Sequence, residues 1–314
     1  MHNTHDRMTI KLKDIDLIFV SYDEPGKEVF CKQAEKIWPG TVRRIDGVKG
    51  IHSAYSAANE IATTEWFLIV DGDTWIWDTI DFDALSLPAQ LVGCVYSFGS
   101  INEVNRLCYG NGGPKLWKKD LITTGTTHEK TNDGVSVDFF TTFKYYQVDS
   151  VFSTTVINQT PIQAVRAGYR ECAKFLSQNG KNITNWKSAI STIAASNLSR
   201  VHVWGSTGAD VNNGLWAMYG ARRGIVDFWA TDNENDSLPF KKENPDRYLI
   251  LNDYQQLTEY LTEMTYRDQD PYIGCNRLGK ILDEQLDFYI PLHDEKMSKW
   301  VKTIYQNPSR NGFI

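Results

Sequence analysis

The chain has 314 residues and a formal net charge of −6, with 41% hydrophobic and 12% aromatic side chains. That length suits one large domain or two closely joined ones around a substantial core, and the acidic balance argues against a protein that coats nucleic acid non-specifically while leaving room for a local basic groove. Cys31, Cys94, Cys108, Cys172 and Cys275 are scattered without a C-x-x-C pair, which argues against a zinc knuckle or a disulfide framework.

The opening MHNTHDRMTIKLKD holds no apolar run, and no later stretch approaches the ~18 consecutive apolar residues of a membrane span. The expectation is a soluble cytoplasmic protein without a membrane partner. Ile15 to Tyr22 (IDLIFVSY) reads as a buried strand closed by the turn signal DEPG. Lys27 to Trp38 has helical spacing, with Val29, Phe30, Ala34, Ile37 and Trp38 on one face. TVRRIDG is a short strand, Ser53 to Thr64 a helix rich in small residues, Trp66 to Val70 a buried strand, and Leu91 to Phe98 another. Strands alternating with helices predict an α/β fold with a mainly parallel sheet. Ligands of such sheets bind beyond the carboxyl ends of the strands, which draws attention to SYDEP, DGVKGIHS and DGD together.

Asn158 to Gln178 opens a helix, with Thr160 as N-cap, Pro161 at the first helical position and Gln163 completing a capping box. Its Arg166, Arg170 and Lys174 recur at every fourth position as a basic stripe: either a solvated face or, with Lys115, Lys118, Lys119, Arg222 and Arg223, a local basic groove. Residues 230–253 read as a polar surface linker, and the last sixty residues as mostly helical.

Four D-x-D triplets occur, at Asp14/Asp16, Asp71/Asp73, Asp81/Asp83 and Asp268/Asp270. Only Asp71-Gly72-Asp73 directly follows a continuous buried strand, where both carboxylates can project from one strand end. Two hard oxygen ligands suit Mn²⁺ or Mg²⁺; the alternative is turn chemistry that ends a strand. P-loop, dinucleotide-fingerprint, zincin and nucleophile-elbow patterns are absent, which removes support for nucleotide hydrolases, dinucleotide oxidoreductases, zinc proteases and serine hydrolases.

The run DLIFVSYDEP…GVKGIHSAYSAANEIATTEWFLIVDGD resembles the nucleotide-sugar-binding half of GT-A fold glycosyltransferases, and YGNGGPKLW is similar to that family's Gly-Gly segment. With TPIQAVRAGYRE, these segments also resemble glycosyltransferase-type proteins of large tailed bacteriophages. The resemblance implies a GT-A-like, Rossmann-like core. It implies roles too: Val20, Ser21, Tyr22 and Asp23 at the nucleobase and ribose, Lys49 and His52 at the diphosphate, Asp71 on ribose or metal, and Asp73 on the metal. His293 in PLHDEK would be a third metal ligand, and Gly112 and Gly113 would lie against the donor. Lys49, His52 and His293 equally fit ordinary surface or structural roles, and the two glycines an ordinary turn.

For the acceptor base, Asp210 stands in a glycine-dense segment beside Trp204 and Trp216, with Asp138 and Asp133 as rivals; a turn or cap role competes for each. The expected activity is metal-dependent transfer of a glycosyl group, hexosyl or pentosyl, from a nucleoside diphosphate sugar. The donor would be UDP-linked, glucose or arabinose for instance. The acceptor would be a hydroxymethylcytosine-type base in phage DNA, contacted by Arg166, Arg170 and Trp204, in the host cytoplasm if phage-encoded. The alternatives are a glycan or small sugar acceptor, and a protein that binds nucleotide sugars or carbohydrate without turnover. The expected organisation is 1–110 for the donor half, 111–230 for the acceptor side, and 231–314 for a linker and helical end.

Overall fold

A computed structural model describes residues 9–88, 93–109, 113–119, 121–125, 127, 143–177, 185–232, 248 and 250–305. The chain divides into two compact units, one drawn from Met1–Ile101, Tyr109–Lys130 and Thr142–Thr155, the other from Asn102–Cys108, Thr131–Thr141 and Val156–Ile314.

The first unit carries the sheet, apart from the strand-end residues Asn102 and Cys108, which are assigned to the second. Its strands are β1 (Thr9–Lys11), β2 (Asp16–Ser21), β3 (Val42–Asp46), β4 (Trp66–Asp71), β5 (Thr74–Ile76), β6 (Ser86–Pro88), β7 (Val95–Asn102), β8 (Cys108–Tyr109), β9 (Lys115–Lys118) and β10 (Tyr145–Thr155). Helices α1 (Lys27–Ile37), α2 (Ile51–Ile61) and α3 (Leu121–Thr124) accompany them. Leu17, Ile18, Phe19, Leu68, Ile69 and Val70 are at most 1% exposed, as a run buried on both sheet faces requires. Helix α1 turns Phe30, Cys31 and Ala34 inward, while Val29 stands 60% exposed rather than on the packed face.

The large sheet runs β3-β2-β4-β9-β7-β10-β5, and β1 pairs separately with β6. Strands β3, β2 and β4 are parallel, because α1 and α2 act as crossovers that return the chain to the same sheet end. The sheet is mixed: the expected parallel arrangement holds in β3, β2 and β4, and the recorded pairs β4–β9, β7–β9 and β5–β10 are antiparallel. In register, Ser21 stands opposite Asp46 and Val20 opposite Asp71. Three polar strand ends therefore finish side by side.

The second unit is helical: α4 (Pro161–Ser177), α5 (Trp186–Thr192), α6 (Ala195–Ser206), α7 (Gly214–Trp229), α8 (Tyr254–Asp268), α9 (Pro271–Leu286) and α10 (Glu295–Tyr305). Helix α4 begins as its sequence dictates. Thr160 Oγ1 accepts the Gln163 N–H at 3.3 Å, and Gln163 Oε1 accepts the Gln159 N–H at 3.0 Å. Helix α7 is buried around nearly its whole circumference. Its backbone meets that of α4 at glycines: a Cβ on Gly168 would lie 2.0 Å from the Ala217 carbonyl oxygen, and one on Gly220 2.0 Å from that of Val165.

The expected boundary near residue 110 does not match this division, since β9 and β10 complete the sheet of the first unit by pairings distant in sequence. The expected linker also contributes to the core, with Tyr248, Ile250 and Leu251 at most 5% exposed. No helix among the described residues is long and apolar enough to cross a membrane.

Candidate functional site

Strand β4 delivers Asp71 as its last residue, and Gly72-Asp73 turn the chain into β5. Asp71 is held on both sides. Tyr55 of α2 donates its hydroxyl to Asp71 Oδ1 at 3.1 Å, and Lys115 Nζ of β9 stands 3.8 Å from Oδ2. Lys115 is only 7% exposed and also donates to the Gly113 carbonyl at 3.0 Å. The Tyr55 phenol is pushed well above its ordinary pKa by burial and then by the Asp71 carboxylate, so it stays a donor.

Asp73 is recessed: part of its surface still meets solvent, while protein packs densely around the rest. Burial first, then the Asp71 and Glu24 carboxylates, push its pKa up to about 8 against the opposing pull of Lys115. Glu24 is itself raised, by burial above all and with Asp71 adding. Its Oε2 accepts the Tyr22 N–H at 2.7 Å. A Cβ on Gly72 would come within 2.5 Å of that same oxygen, so the glycine makes room for the third carboxylate. Three acidic groups thus gather round one nearby ammonium, an arrangement that lacks positive charge.

The neighbouring strand ends are polar and ordered. Ser21 donates its hydroxyl to Asp46 Oδ1 at 2.7 Å, and Lys27 Nζ donates to the same oxygen at 2.7 Å and to the Tyr22 carbonyl at 2.6 Å. Lys27, then Ser21, hold Asp46 below the usual carboxylate range. Tyr22 and Asp23 are exposed and Val20 is half-buried, so the SYDEP loop offers side chains to solvent. Gly50 caps α2 at φ 89°, a conformation that favours glycine, with exposed Lys49 before it and half-buried His52 in its first turn.

The residues fit a divalent cation in a specific way. Among the described residues no three His, Cys, Asp or Glu side chains are grouped as a complete metal centre. Mn²⁺ and Mg²⁺ are commonly held by one or two carboxylates, with water and phosphate oxygens completing the shell. Asp71 and Asp73 are such a pair, and their mutual repulsion is what a cation would relieve.

The other expected site residues have different surroundings. Gly113 is glycine because a Cβ would lie 2.0 Å from the Phe98 carbonyl oxygen, so strand packing demands it. Gly112, Asp133 and Asp138 lie outside the described residues. Asp210 is tied to Lys302 at 2.7 Å, with side chains 8% and 6% exposed. His293 Nδ1 lies 3.2 Å from Thr207 Oγ1.

The expected acceptor side is corrected by burial. Trp204 is 1% exposed and packs in the core of the second unit. Arg166 is 7% exposed, donates to Thr258 Oγ1 at 2.9 Å and stacks 3.7 Å over the Tyr254 ring. Arg170 donates to the Leu251 carbonyl at 3.1 Å, and Lys174 pairs with Glu171 at 2.7 Å. Arg166 and Arg170 are thus spent on α8 and the segment before it, and Lys174 pairs within its own helix. Arg222 and Arg223 are fully interior: Arg222 donates to four carbonyls, and Arg223 pairs with Asp227 and Asp232.

Sequence reasoning passed over Glu24 and treated Lys115 only as part of a groove. Glu24 lies inside the SYDEP loop, but its approach to Gly72 follows from the pairing of β2 with β4. Lys115 reaches Asp71 because β9 pairs with β4, and the sequence carries no local sign of that neighbour.

No protein-family model matches the sequence, and no curated protein matches it. Among solved structures the chain is similar to the mannosyltransferase PcManGT from Pyrobaculum calidifontis in complex with GDP-Man and Mn²⁺. The identity is 13%, 83% of this chain and 85% of that one are covered, and the TM-score is 0.33.

Proposed function

We propose that the chain is a metal-dependent glycosyltransferase that takes a sugar from a nucleoside diphosphate donor and transfers it to a hydroxyl acceptor. One observation carries the reading. Asp71 and Asp73 stand at the end of a buried parallel strand, with a third carboxylate beside them and Asp73 lifted to a pKa of about 8. Asp73 and Asp71 would hold Mn²⁺ or Mg²⁺, and a bound ion would offset the charge that develops on a leaving diphosphate.

The chain's own groups supply the rest. Tyr55 and Lys115 fix the Asp71 carboxylate. Ser21 and Lys27 hold Asp46 at the neighbouring strand end, beside the loop proposed to take the nucleoside through Val20, Ser21, Tyr22 and Asp23. Lys49 and His52 are proposed at the diphosphate. The proposed donor is UDP-linked, from the resemblance of these loops to nucleotide-sugar enzymes.

For the acceptor, burial of Arg166 and Trp204 favours a glycan or a small sugar over a base in DNA. The stripe that supported a phosphate-contacting surface is committed to helix packing.

The test is a thermal-shift panel of nucleoside diphosphate sugars, each with and without Mn²⁺. A matching donor at about 100 times its dissociation constant stabilises the fold by roughly 2.7 kcal/mol. That stabilisation is expected to need the metal and to vanish in Asp73→Asn while the ligand-free melting temperature is kept. No shift with any donor, or an equal shift in Asp73→Asn, overturns the proposal. Metal-dependent donor binding without transfer or hydrolysis would identify a binding protein instead.

A further inference from the structure

Lys115 lies on β9 between two strands, paired with Ile69 of β4 and Ser97 of β7. It is 7% exposed, and the next two residues, Leu116 and Trp117, are fully buried. A lysine so placed is rare unless an anion answers it. The answer here is loose. Lys115 Nζ stops 3.8 Å from Asp71 Oδ2, outside hydrogen-bond distance, and donates instead to the Gly113 carbonyl at 3.0 Å. Other buried pairs of this chain close fully, Asp210 with Lys302 at 2.7 Å and Arg223 with Asp227 at 2.8 Å.

The two oxygens of Asp71 are not equivalent. Oδ1 accepts the Tyr55 hydroxyl at 3.1 Å, a directional bond that sets how the carboxylate is turned. Among the described residues Oδ2 accepts no hydrogen bond, and the side chain is 30% exposed. An ammonium has three N–H donors, and among the described residues Lys115 uses one of them, on Gly113. Tyr55 thus supplies geometry to Asp71, whereas Lys115 supplies charge without a bond.

A divalent cation taken by Asp71 and Asp73 would share Asp71 with this ammonium. Two positive charges on one carboxylate repel, and where water is largely excluded that repulsion outweighs the loss of a 3.8 Å contact. A surface lysine would swing away into solvent. Lys115 is held by a central strand and by the Gly113 carbonyl, so its charge stays. An ion already complexed with an anion carries less net positive charge and meets correspondingly less repulsion.

We infer that Lys115 is a counter-cation built into the acidic pair, and that it discriminates against a bare divalent ion in favour of one complexed with a diphosphate-type anion. The inference rests on the metal-dependent reading of Asp71 and Asp73. It adds a selectivity that two aspartates alone lack, since a bare carboxylate pair favours the more positive species. Asp71, Asp73, Tyr55, Gly113 and Lys115 all belong to the first unit.

Isothermal titration calorimetry of the full chain at low ionic strength tests this with Mn²⁺ alone and with Mn²⁺ as its pyrophosphate complex. Removing the charge in Lys115→Met should tighten binding of Mn²⁺ alone by roughly tenfold. Lys115→Gln, which keeps a donor for the Gly113 carbonyl, should do the same, so the result does not hang on one variant folding. Lys115→Arg keeps the charge and should bind Mn²⁺ like the wild type, an outcome that a purely structural role for the lysine does not give. With the pyrophosphate complex the gain in the neutral variants should disappear. Melting curves of each ligand-free variant confirm which of them are folded. Mn²⁺ affinity unchanged or weakened in a folded neutral variant, or a gain as large with the pyrophosphate complex, overturns the inference while leaving the metal site in place. Failure of the metal-dependent reading shows differently, as no Mn²⁺ binding in the wild type or any variant, with or without pyrophosphate.

Discussion

At the residue scale, the candidate site turns on close approaches that particular side chains permit. A Cβ at Gly72 would meet Glu24 Oε2 at 2.5 Å and the Ser21 Cβ at 2.9 Å. Gly72→Ala should therefore displace the Glu24 side chain and cost about 1–3 kcal/mol of stability by overpacking. Glu24→Ala in the same chain should restore part of that loss, and urea unfolding of the two single variants and the double variant measures the coupling. Asp210 makes the contrasting case. Its carboxylate lies in a buried ion pair with Lys302, so Lys302→Met should strand a buried charge and destabilise by about 3–5 kcal/mol. The double variant Asp210→Asn/Lys302→Met should recover most of the loss. If donor turnover also survives in it, Asp210 is a structural residue and the base lies elsewhere.

At the element scale, the contact of α4 with α7 is set by glycines that no hydropathy pattern singles out. Gly168→Ala and Gly220→Ala each drive a methyl group into a carbonyl of the opposite helix. Because backbone must give way, each should cost about 3 kcal/mol, the upper part of the range for overpacking, and chemical denaturation of each variant checks it. Helix α6 carries a second prediction through His202, whose ring packs 4.8 Å from that of Phe288. Burial lowers the His202 pKa from 6.5, so the unfolded chain binds the proton more readily than the folded one. Its contribution to stability is complete above the unfolded value of 6.5, falls as pH drops below it, and levels off beneath the lowered folded value. Urea midpoints measured between about pH 7.5 and 5.5 should fall with pH in the wild type, and fall less in His202→Phe.

At the scale of the whole molecule, charge and burial argue together about partners. The net charge is −6, and the arginines that would have formed a basic groove are used inside the second unit. Binding to duplex DNA should therefore be weak even at low salt, without the steep salt dependence that several phosphate contacts produce. Fluorescence anisotropy over a salt series checks this, and tight, steeply salt-dependent binding would return a modified DNA base to the front rank of acceptors.

Much of the fold was legible from local pattern. The strand at Trp66, helix α1 and the capped start of α4 were readable because apolar period, turn residues and capping side chains act within a few residues of one another. The same locality picked Asp71 and Asp73 out of four similar triplets, since only they follow a buried strand. The basic stripe failed for the matching reason: spacing tells which side chains share a helix face, but which element covers that face is decided at long range. Arg166 looks solvated in sequence and is covered by Tyr254 in the fold, and Gly113 looks like a ligand-facing turn where a neighbouring strand presses on it. The sequence by itself determined the alternating strands and helices up to β4, the capped start of α4 and the strand-end position of the acidic pair. Only the tertiary structure decided that Glu24, Tyr55 and Lys115 surround that pair, and that Thr207 holds one nitrogen of His293, because strand pairing and helix packing join residues with no local relation in the chain.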